Sequence, residues 1–371
     1  MHIISMLFAG ASVLGLSTTA SAQTISWSVV DTAGNVVCNE AGSFEQVPGL
    51  PNYFIGRVLA TGTQYFCDVG KFTTRPTLGI FQMVWAQKSL VLQYTLGTFP
   101  QVINGQSILS LYDPSVMTYS ETTWVAAECV ANTAGGIQHV SSCVVPLVMQ
   151  GGSPQLDLTR FSVPILGNTA NGVAIDSASV PRLVNWFGTP YIYWTDDSSD
   201  TTKPHITRGA QLVLDDRGRL YAAGSGGAPI STTDPNLATI VRDVDQTDPT
   251  RNFQAAVRFH YPAASGNGFY VFSSIGGTGC TAPNQPSPGC GRLEVTFATD
   301  PLSYNSFAGN VFPTNEIPVN AMDYPKPLTD NLGQRWLSAN FFRLKTTWNV
   351  GYAPATGPAN TGIIPFPDNL P

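Results

Sequence analysis

The chain has 371 residues with 35 Gly and 28 Pro, and only 11% of its residues are charged. This composition is typical of turn-rich β proteins and predicts little helix. The net charge of −6 provides no basic surface, which excludes nucleic acid as an expected partner. A chain of this length can bury a large core, either as one closed β architecture or as two domains.

Residues 1–22 have the organisation of a signal peptide. An apolar stretch runs from Ile3 to Leu16, and Ala20-Ser21-Ala22 forms the small-x-small pattern of a signal-peptidase site. Because no Lys or Arg precedes the apolar stretch, an uncleaved membrane anchor is the alternative. No later apolar run reaches the ~20 residues that span a bilayer. We therefore expect a mature chain that starts at Gln23, has no membrane span, and is a secreted monomer in the extracellular space or the periplasm.

Residues 23–105 form an N-terminal β segment. Strand-like stretches occur at 25–30, 63–67, 79–85 and 90–96, but none of them has the repeated pattern of the later chain. Two interpretations remain open for this segment: a fifth blade of the architecture predicted below, or a separate cap.

Residues 106–371 contain four segments with one shared pattern. Each consists of a short segment that ends in a polar or acidic residue, a strand rich in β-branched residues, a tight turn and an aromatic-rich second strand. The four segments are 111–127, 175–194, 257–272 and 336–352. A unit that recurs at roughly 60 to 85 residues is too long for a solenoid and is typical of propeller blades with long loops. Turns with Gly in the left-handed conformation are predicted at 215–218 and 263–268. The predicted fold class is all-β, a β-propeller of four or five blades, with five expected.

Six cysteines follow the signal peptide, which fits an oxidising compartment. Sequence alone leaves the pairing open. We expect the sequential pairing, Cys38 with Cys67, Cys129 with Cys143 and Cys280 with Cys290, because each bond then closes one local loop. No Cys-x-x-Cys motif occurs and the four histidines are scattered, so neither a structural zinc site nor a redox motif is predicted.

Two acidic loops, 195–200 and 234–248, have no EF-hand spacing. They are expected to be solvated connectors, with a calcium site as the alternative, and no other cofactor is expected.

The motifs Asp113-Pro114-Ser115-Val116 and Ala174-Ile175-Asp176 each precede a strand and an aromatic strand, and 268–274 reads Gly-Phe-Tyr-Val-Phe-Ser-Ser. In these features the chain resembles the five-bladed β-propeller glycosidases of the arabinanase and xylosidase type, over more than half of its length. That resemblance implies an axial pocket in which acidic residues invert the anomeric centre. It implies that Asp113 is the general base, and that Asp176 is the carboxylate that tunes the pKa of the general acid and holds the sugar.

The resemblance also implies a general-acid Glu shortly before the third aromatic strand, and the stretch 251–258 contains no carboxylate. Gln254 lies there and could bind a sugar hydroxyl without donating the proton. Glu294 is the nearest substitute for the catalytic acid. Its alternation with Leu293 and Val295 favours an ordinary solvent-facing strand position, with catalysis as the alternative.

Aromatic faces stack on the apolar faces of sugar rings, although most of the aromatic residues serve the core. Tyr112, and Trp336 with Arg335 beside it, stand near predicted blade starts and are therefore predicted to bind substrate. His139, His205 and His260 are isolated, and a structural role is favoured for each.

The sequence thus predicts a secreted, carbohydrate-active, glycoside hydrolase-like propeller with an axial pocket for a polysaccharide or oligosaccharide. Whether it is an enzyme, an inverting glycoside hydrolase, stays open. The alternatives are a non-catalytic propeller that binds glycan or protein, and an adhesion protein without a small-molecule pocket.

Overall fold

The computed structural model of the chain describes the residues in the following ranges: 25–26, 28–35, 37, 44–58, 60–61, 64–65, 77–132, 138–170, 173–198, 203–248, 251–276, 292–304, 310–311, 319–343 and 361–365.

The regular structure of these residues is almost entirely β. The first strands are β1 (Ile25–Ser26), β2 (Ser28–Asp31), β3 (Glu45–Gln46), β4 (Tyr53–Val58), β5 (Ala60–Thr61), β6 (Gln64–Tyr65), β7 (Thr77–Val84), β8 (Ser89–Leu96) and β9 (Gln101–Ile103). The next are β10 (Gln106–Tyr119), β11 (Thr122–Asn132), β12 (Gln138–Gln150), β13 (Ser153–Leu156), β14 (Ser162–Leu166), β15 (Asn168–Ala170), β16 (Val173–Trp186), β17 (Thr189–Ser198) and β18 (Ile206–Leu214). The last are β19 (Leu220–Ala222), β20 (Ile230–Ser231), β21 (Thr239–Arg242), β22 (Gln254–Pro262), β23 (Phe269–Gly276), β24 (Arg292–Ala298), β25 (Asn310–Val311), β26 (Val319–Thr329), β27 (Arg335–Arg343) and β28 (Thr361–Pro365).

No α-helix occurs among the described residues, which hold two short 3₁₀ turns, Trp85–Gln87 and Leu158–Arg160. The all-β prediction is confirmed. A search of the same residues for a helix long and apolar enough to cross a membrane finds none.

Most of the described strands fall into five sheets, which we number in chain order. Sheet 1 is β2-β8-β7-β4-β3; sheet 2 is β20-β14-β12-β11-β10-β9 with β13 beside β12; sheet 3 is β15-β16-β17-β18-β19 with β21 beside β18; sheet 4 is β22-β23-β24-β25; sheet 5 is β1-β28-β27-β26. A small separate ribbon pairs β5 with β6. Neighbouring strands are antiparallel, apart from the parallel pairs β2 with β8 and β14 with β20.

The five sheets contact one another in a circle. Strand β10 of sheet 2 contacts β4 and β3 of sheet 1, β16 contacts β10, β22 contacts β17 and β18, and β26 contacts both β22 and β3. The last sheet therefore meets the first. We call β3, β10, β16, β22 and β26, one strand from each sheet, the inner strands.

Both ends of the chain contribute to sheet 5. Ile25 in β1 pairs with Ile363 in β28, so the N-terminal strand completes the sheet built from the C-terminal residues.

Gln46 joins sheet 1 to sheet 5. Its Nε2 donates to the Thr329 carbonyl at 2.9 Å, and the Thr329 amide donates to its Oε1 at 3.2 Å. A ring closed in this way leaves fewer open sheet edges.

The predicted turns are present. The Gly218 amide donates to the Asp215 carbonyl with Gly218 at φ +69°, and the Ala263 amide donates to the Gly268 carbonyl with Gly266 at φ +70°. Glycine has no Cβ to clash at positive φ, which explains its place in both turns.

The core lies between the sheets. Ile80 and Leu111 pack between sheets 1 and 2, and Trp124 packs with Trp194 between sheets 2 and 3. The run Tyr191-Ile192-Tyr193-Trp194 is buried at all four positions, as expected for a strand covered on both faces.

The predicted Cys129–Cys143 disulfide is confirmed and joins the adjacent strands β11 and β12, with the two Cα atoms 5.8 Å apart. The other four predicted partners, Cys38, Cys67, Cys280 and Cys290, lie outside the described residues.

The fourth repeated unit was assigned to the wrong strands. Trp336 belongs to β27, the second strand of the β26–β27 hairpin, and residues 348–352 lie outside the described part of the chain. The turn at 330–334 is held by the Asp330 carboxylate, which accepts from the amides of Leu332 and Gln334. The first strand of this hairpin, β26, begins at Val319.

Candidate functional site

The inner strands of four sheets are interrupted at corresponding places. The pairing shifts between Tyr112 and Ser115 in β10, between Ser179 and Arg182 in β16, at Arg258 in β22, and between Asp323 and Lys326 in β26. A β-bulge of this kind bends the strand and re-aims its side chains. Three of these interruptions contain a proline, Pro114, Pro181 or Pro325, which lacks the amide proton that continuous pairing needs.

Asp113 lies in the first of these bulges and is buried. Only 3% of it is exposed, and its Oδ1 has no hydrogen-bond partner among the described residues. Its φ is +50°, a conformation that Asp tolerates better than most residues. Burial raises the pKa of its carboxyl group above the ordinary value.

One cation from each of the other four sheets acts on Asp113. They are Arg57 from β4, Arg182 from β16, Arg258 from β22 and Lys326 from β26, and all four are buried. Their positive charges oppose the effect of burial on the Asp113 pKa. We call these five residues the axial charge cluster, because each of the five sheets contributes one of them.

A second carboxylate, Glu45 of β3, is held beside the cluster. Its Oε1 accepts from the Val116 amide at 2.9 Å and from Ser115 Oγ at 3.4 Å, and its Oε2 accepts from Lys326 Nζ. Lys326 is 1% exposed, and burial with the nearby Arg182 lowers its pKa to about 8. This pair links sheet 1 to sheet 5.

A pocket of about 270 Å³ opens beside the cluster, on the side toward the hairpin turns of the inner strands. Its polar walls are Glu45, Gln46, Arg182, Asn185, His260 and Lys326. Phe259 and Phe269 add aromatic surface. Asp113 is not part of the wall; the residues that follow it, Ser115 to Met117, are. A small pocket with many hydrogen-bonding groups and some aromatic surface suits a polar ring such as a sugar.

His260 enters the pocket as a neutral side chain. Burial, with Arg182 and Lys326 nearby, lowers its pKa to about 3. Its Nε2 lies 2.9 Å from the Tyr304 hydroxyl, Tyr304 hydrogen-bonds Tyr193, and the Tyr193 hydroxyl donates to the Pro301 carbonyl at 3.0 Å.

Of the predicted substrate-binding residues, Tyr112 lies next to the axial charge cluster. Its phenol hydrogen-bonds Glu128, and the Arg57 guanidinium lies 5.4 Å from its ring centroid. Burial, with Glu128 nearby, raises its pKa well above the ordinary value. Gln254 is half-buried at the start of β22, where its backbone pairs with Gly276. Neither residue lines the pocket.

Arg335 and Trp336 are not at the start of an inner strand, because they follow the 330–334 turn. Trp336 Nε1 donates to Asp330 Oδ2 at 2.9 Å. Arg335 lies against Tyr261, with Nη1 3.2 Å from its hydroxyl. The prediction that both residues stand at the start of a blade was therefore wrong, because they begin the second strand of the β26–β27 hairpin.

Glu294 is buried, so the expectation of a solvent-facing position was wrong. It is 1% exposed, its Oε2 accepts from Arg251 Nη2 at 2.5 Å and from Arg242 Nη2 at 3.2 Å, and its Oε1 accepts from Arg251 Nε at 3.0 Å. Both carboxylate oxygens of Glu294 are therefore engaged with guanidinium groups. Glu294 shares none of these partners with Asp113.

Asp176 lies in β16, where its backbone pairs with Ser198, and its side chain is outside the described part of the structure. Counted from the hairpin turns, the residue that corresponds to Asp113 is Val180, since Tyr119 pairs with Thr122 and Trp186 with Thr189. Val180 also has φ +50°. The role of Asp176 stays a prediction.

Sequence reasoning missed Glu45, Arg182 and Lys326 and set His260 aside. The signal that could have identified them is a repeated tripeptide, in which a proline is followed by a polar residue at the same point of three hairpins. The three tripeptides are Asp113-Pro114-Ser115, Val180-Pro181-Arg182 and Tyr324-Pro325-Lys326.

Comparisons with known proteins add the following. No family model and no curated protein matches the chain. Among solved structures, the chain is similar to an α-L-arabinofuranosidase from Lactobacillus brevis, with 9% identity and a TM-score of 0.49, over 90% of this chain and 92% of that one. It is similar to a thermostable family-43 glycoside hydrolase, with 12% identity and a TM-score of 0.49, over 89% and 91% of the two chains.

An exo-1,5-α-L-arabinanase from a bovine ruminal metagenomic library is also similar, with 12% identity and a TM-score of 0.45, over 93% of both chains. These structures are of the glycosidase class that the sequence motifs resemble.

Proposed function

We propose that the five sheets are the blades of a five-bladed β-propeller, with residues 23–105 supplying most of the first blade. We propose further that the protein is a secreted, monomeric, glycoside hydrolase-like protein whose axial pocket binds a glycan without cleaving it. Residues 1–22 act in this proposal as the signal peptide.

The observation that carries the proposal is the pocket beside the axial charge cluster. It offers charged and neutral hydrogen-bonding groups, including Gln46, Asn185 and His260, together with the rings of Phe259 and Phe269. Sugars have hydroxyl groups that need partners and apolar faces that pack on aromatic rings, so both kinds of wall have a use.

Catalysis is less well supported, because an inverting glycosidase needs two carboxyl groups about 6.5–9.5 Å apart with water between them. Asp113 is sealed among cations and does not line the pocket. Glu45 does line it, but accepts hydrogen bonds from Lys326 and the Val116 amide. Within the described side chains, no acid and base face each other across the pocket.

Inverting hydrolysis with Asp113 as base is the second candidate. The motif Asp113-Pro114-Ser115-Val116 favours it, as does the position of Asp113 in an inner-strand bulge. In this candidate Asp176 would tune the pKa of the general acid and hold the sugar, and another carboxyl group would have to be that acid.

A panel of arabinan, xylan, levan and related glycans separates the two candidates. Purified mature protein and its Asp113→Asn variant are tested for retardation in affinity gels and for product release by chromatography. We expect one glycan to retard the wild type, and Asp113→Asn where that variant is folded, with no product from either. Product release that stops in Asp113→Asn would establish the hydrolase instead, and neither retardation nor release with any glycan would refute the binding proposal.

A further inference from the structure

The turn between β16 and β17 has an unfavourable residue at its first position. Trp186 pairs with Thr189, so Phe187 and Gly188 form a two-residue loop with φ +49° and +94°. Such loops favour Asn, Asp or Gly, because both central residues need positive φ. A bulky aromatic residue in this conformation is an outlier, and outliers of this kind concentrate at functional sites.

Burial of the Phe187 side chain does little to offset this unfavourable backbone conformation. It is 55% exposed, although the chain has few exposed large apolar residues in the described part. The turn itself is fixed by Asn185, whose Oδ1 accepts from the Gly188 amide at 2.8 Å and whose Nδ2 donates to the Thr118 carbonyl at 2.9 Å. The ring is therefore presented to solvent from an anchored backbone.

Phe187 lies next to the wall of the pocket. Its ring centroid lies 5.2 Å from that of Phe269, which lines the pocket, and 6.2 Å from that of Trp186. Asn185, two residues earlier, lines the same pocket. A ring that lines the pocket is thus in contact with an exposed ring beside it.

The corresponding turn of sheet 2 has no such ring. Ser120 and Glu121 form the loop between β10 and β11 with φ +49° and +59°, so the backbone requirement is the same. The difference between the two hairpins is the aromatic side chain, not the turn.

We propose that Phe187 is a second sugar-binding position, which stacks on the ring next to the one held in the pocket. This inference rests on the proposed glycan binding and adds a minimum ligand length: an oligosaccharide of two or more sugars gains affinity that a monosaccharide cannot. A stacked ring offers an apolar face to a sugar without demanding one stereochemistry.

The test compares Phe187→Asn with Ser120→Asn, which makes the same substitution in the matched turn. Calorimetric titrations use a glycan identified by the panel, at lengths from one to four sugars. We expect Phe187→Asn to weaken binding of the longer oligosaccharides about tenfold and to leave the monosaccharide unchanged. Phe187→Tyr, which keeps a ring, should bind as the wild type does, and Ser120→Asn should change no affinity.

Thermal unfolding distinguishes a binding role from a structural one. Asn suits positive φ, so Phe187→Asn and Ser120→Asn should each raise the unfolding midpoint, by about 2 °C. A weaker ligand affinity in a more stable variant would support the inference.

Equal affinities of wild type and Phe187→Asn at every length would overturn the inference while leaving pocket binding intact. A wild type that binds no glycan of any length would refute the proposed function, and the inference with it. Binding of Phe187 to a protein partner, with glycan affinity unaffected by Phe187→Asn, would also overturn it.

Discussion

At the scale of single residues, the centre of the molecule is defined by charges that sequence reasoning could name only in part. Asp113 was identifiable because Asp-Pro-Ser-Val precedes an aromatic hairpin. Arg182 and Lys326 were not, because an isolated basic residue after a proline is typical of exposed loops. The burial of both depends on bulges and on neighbouring sheets, which no local pattern encodes.

His260 gives the first prediction at this scale, an acid sensitivity of the fold. Its folded pKa is about 3, whereas the unfolded chain has the ordinary 6.5. As pH falls from 6.5 toward 3, the unfolded chain binds a proton that the folded one does not, so His260 lowers stability over that window. Arg182 and Lys326, the cations near the ring, oppose its protonation, and Tyr193 and Tyr304 stay neutral there.

The measurement is urea unfolding of wild type and His260→Gln at pH 7 and pH 4.5. The wild type should lose about 2 kcal/mol more than the variant between these values. Equal losses in both proteins would mean that His260 takes up its proton in the folded state, and that the imidazole is not shielded as the geometry indicates.

At the scale of elements, the hairpins were predictable where turn chemistry was explicit. The turns at 215–218 and 263–268 contain Gly at a position that needs positive φ, and both were found. The 336–352 unit was misplaced because Trp336 and Leu337 look like the beginning of a strand pair. The Asp330-Asn331-Leu332-Gly333 turn in front of them makes them the second strand.

Glu294 provides the prediction that belongs to this scale. Its carboxylate ties β24 to Arg242 of β21 and to Arg251 before β22. Because removing one partner of a buried ion pair leaves an uncompensated charge, Glu294→Gln should lower the free energy of unfolding by about 3 to 5 kcal/mol.

The matched control for Glu294→Gln is Glu121→Gln, in the exposed turn between β10 and β11, which should change stability by about 0.5 kcal/mol or less. Glycan affinity of Glu294→Gln, measured where it is folded, should equal that of the wild type. If the wild type releases product and a stable Glu294→Gln protein does not, Glu294 would instead have a catalytic role.

At the scale of the whole molecule, sheet 5 contains strands from both ends of the chain, and it contacts sheet 1 through β26, β3 and their side chains. Composition and repeats predicted an all-β chain, but the closure could not be read from sequence. It depends on β1 pairing with β28 and on Glu45 meeting Lys326, which are contacts between residues 281 or more positions apart. Contacts of such separation leave no periodic signal.

The closing pair gives a prediction with an internal control. Glu45→Gln deprives the buried Lys326 ammonium of this carboxylate and should destabilise the protein by about 3 kcal/mol or more. The double variant Glu45→Gln/Lys326→Met removes both charges and should recover part of that loss. The single variants Glu45→Gln and Lys326→Met are compared with the double variant by chemical unfolding. If their losses of unfolding free energy simply add up to that of the double variant, the pair does not couple the sheets.

The central claim is that the axial pocket holds an intact glycan. The wild-type protein is incubated for a long period with the tetrasaccharide that binds best and is then analysed by native mass spectrometry. This experiment measures binding and cleavage in the same sample. We predict a complex whose mass equals that of the protein plus the uncleaved tetrasaccharide. Shortened oligosaccharide in the wild-type sample, together with intact tetrasaccharide in the Asp113→Asn sample, would contradict the claim, and so would the absence of any bound glycan.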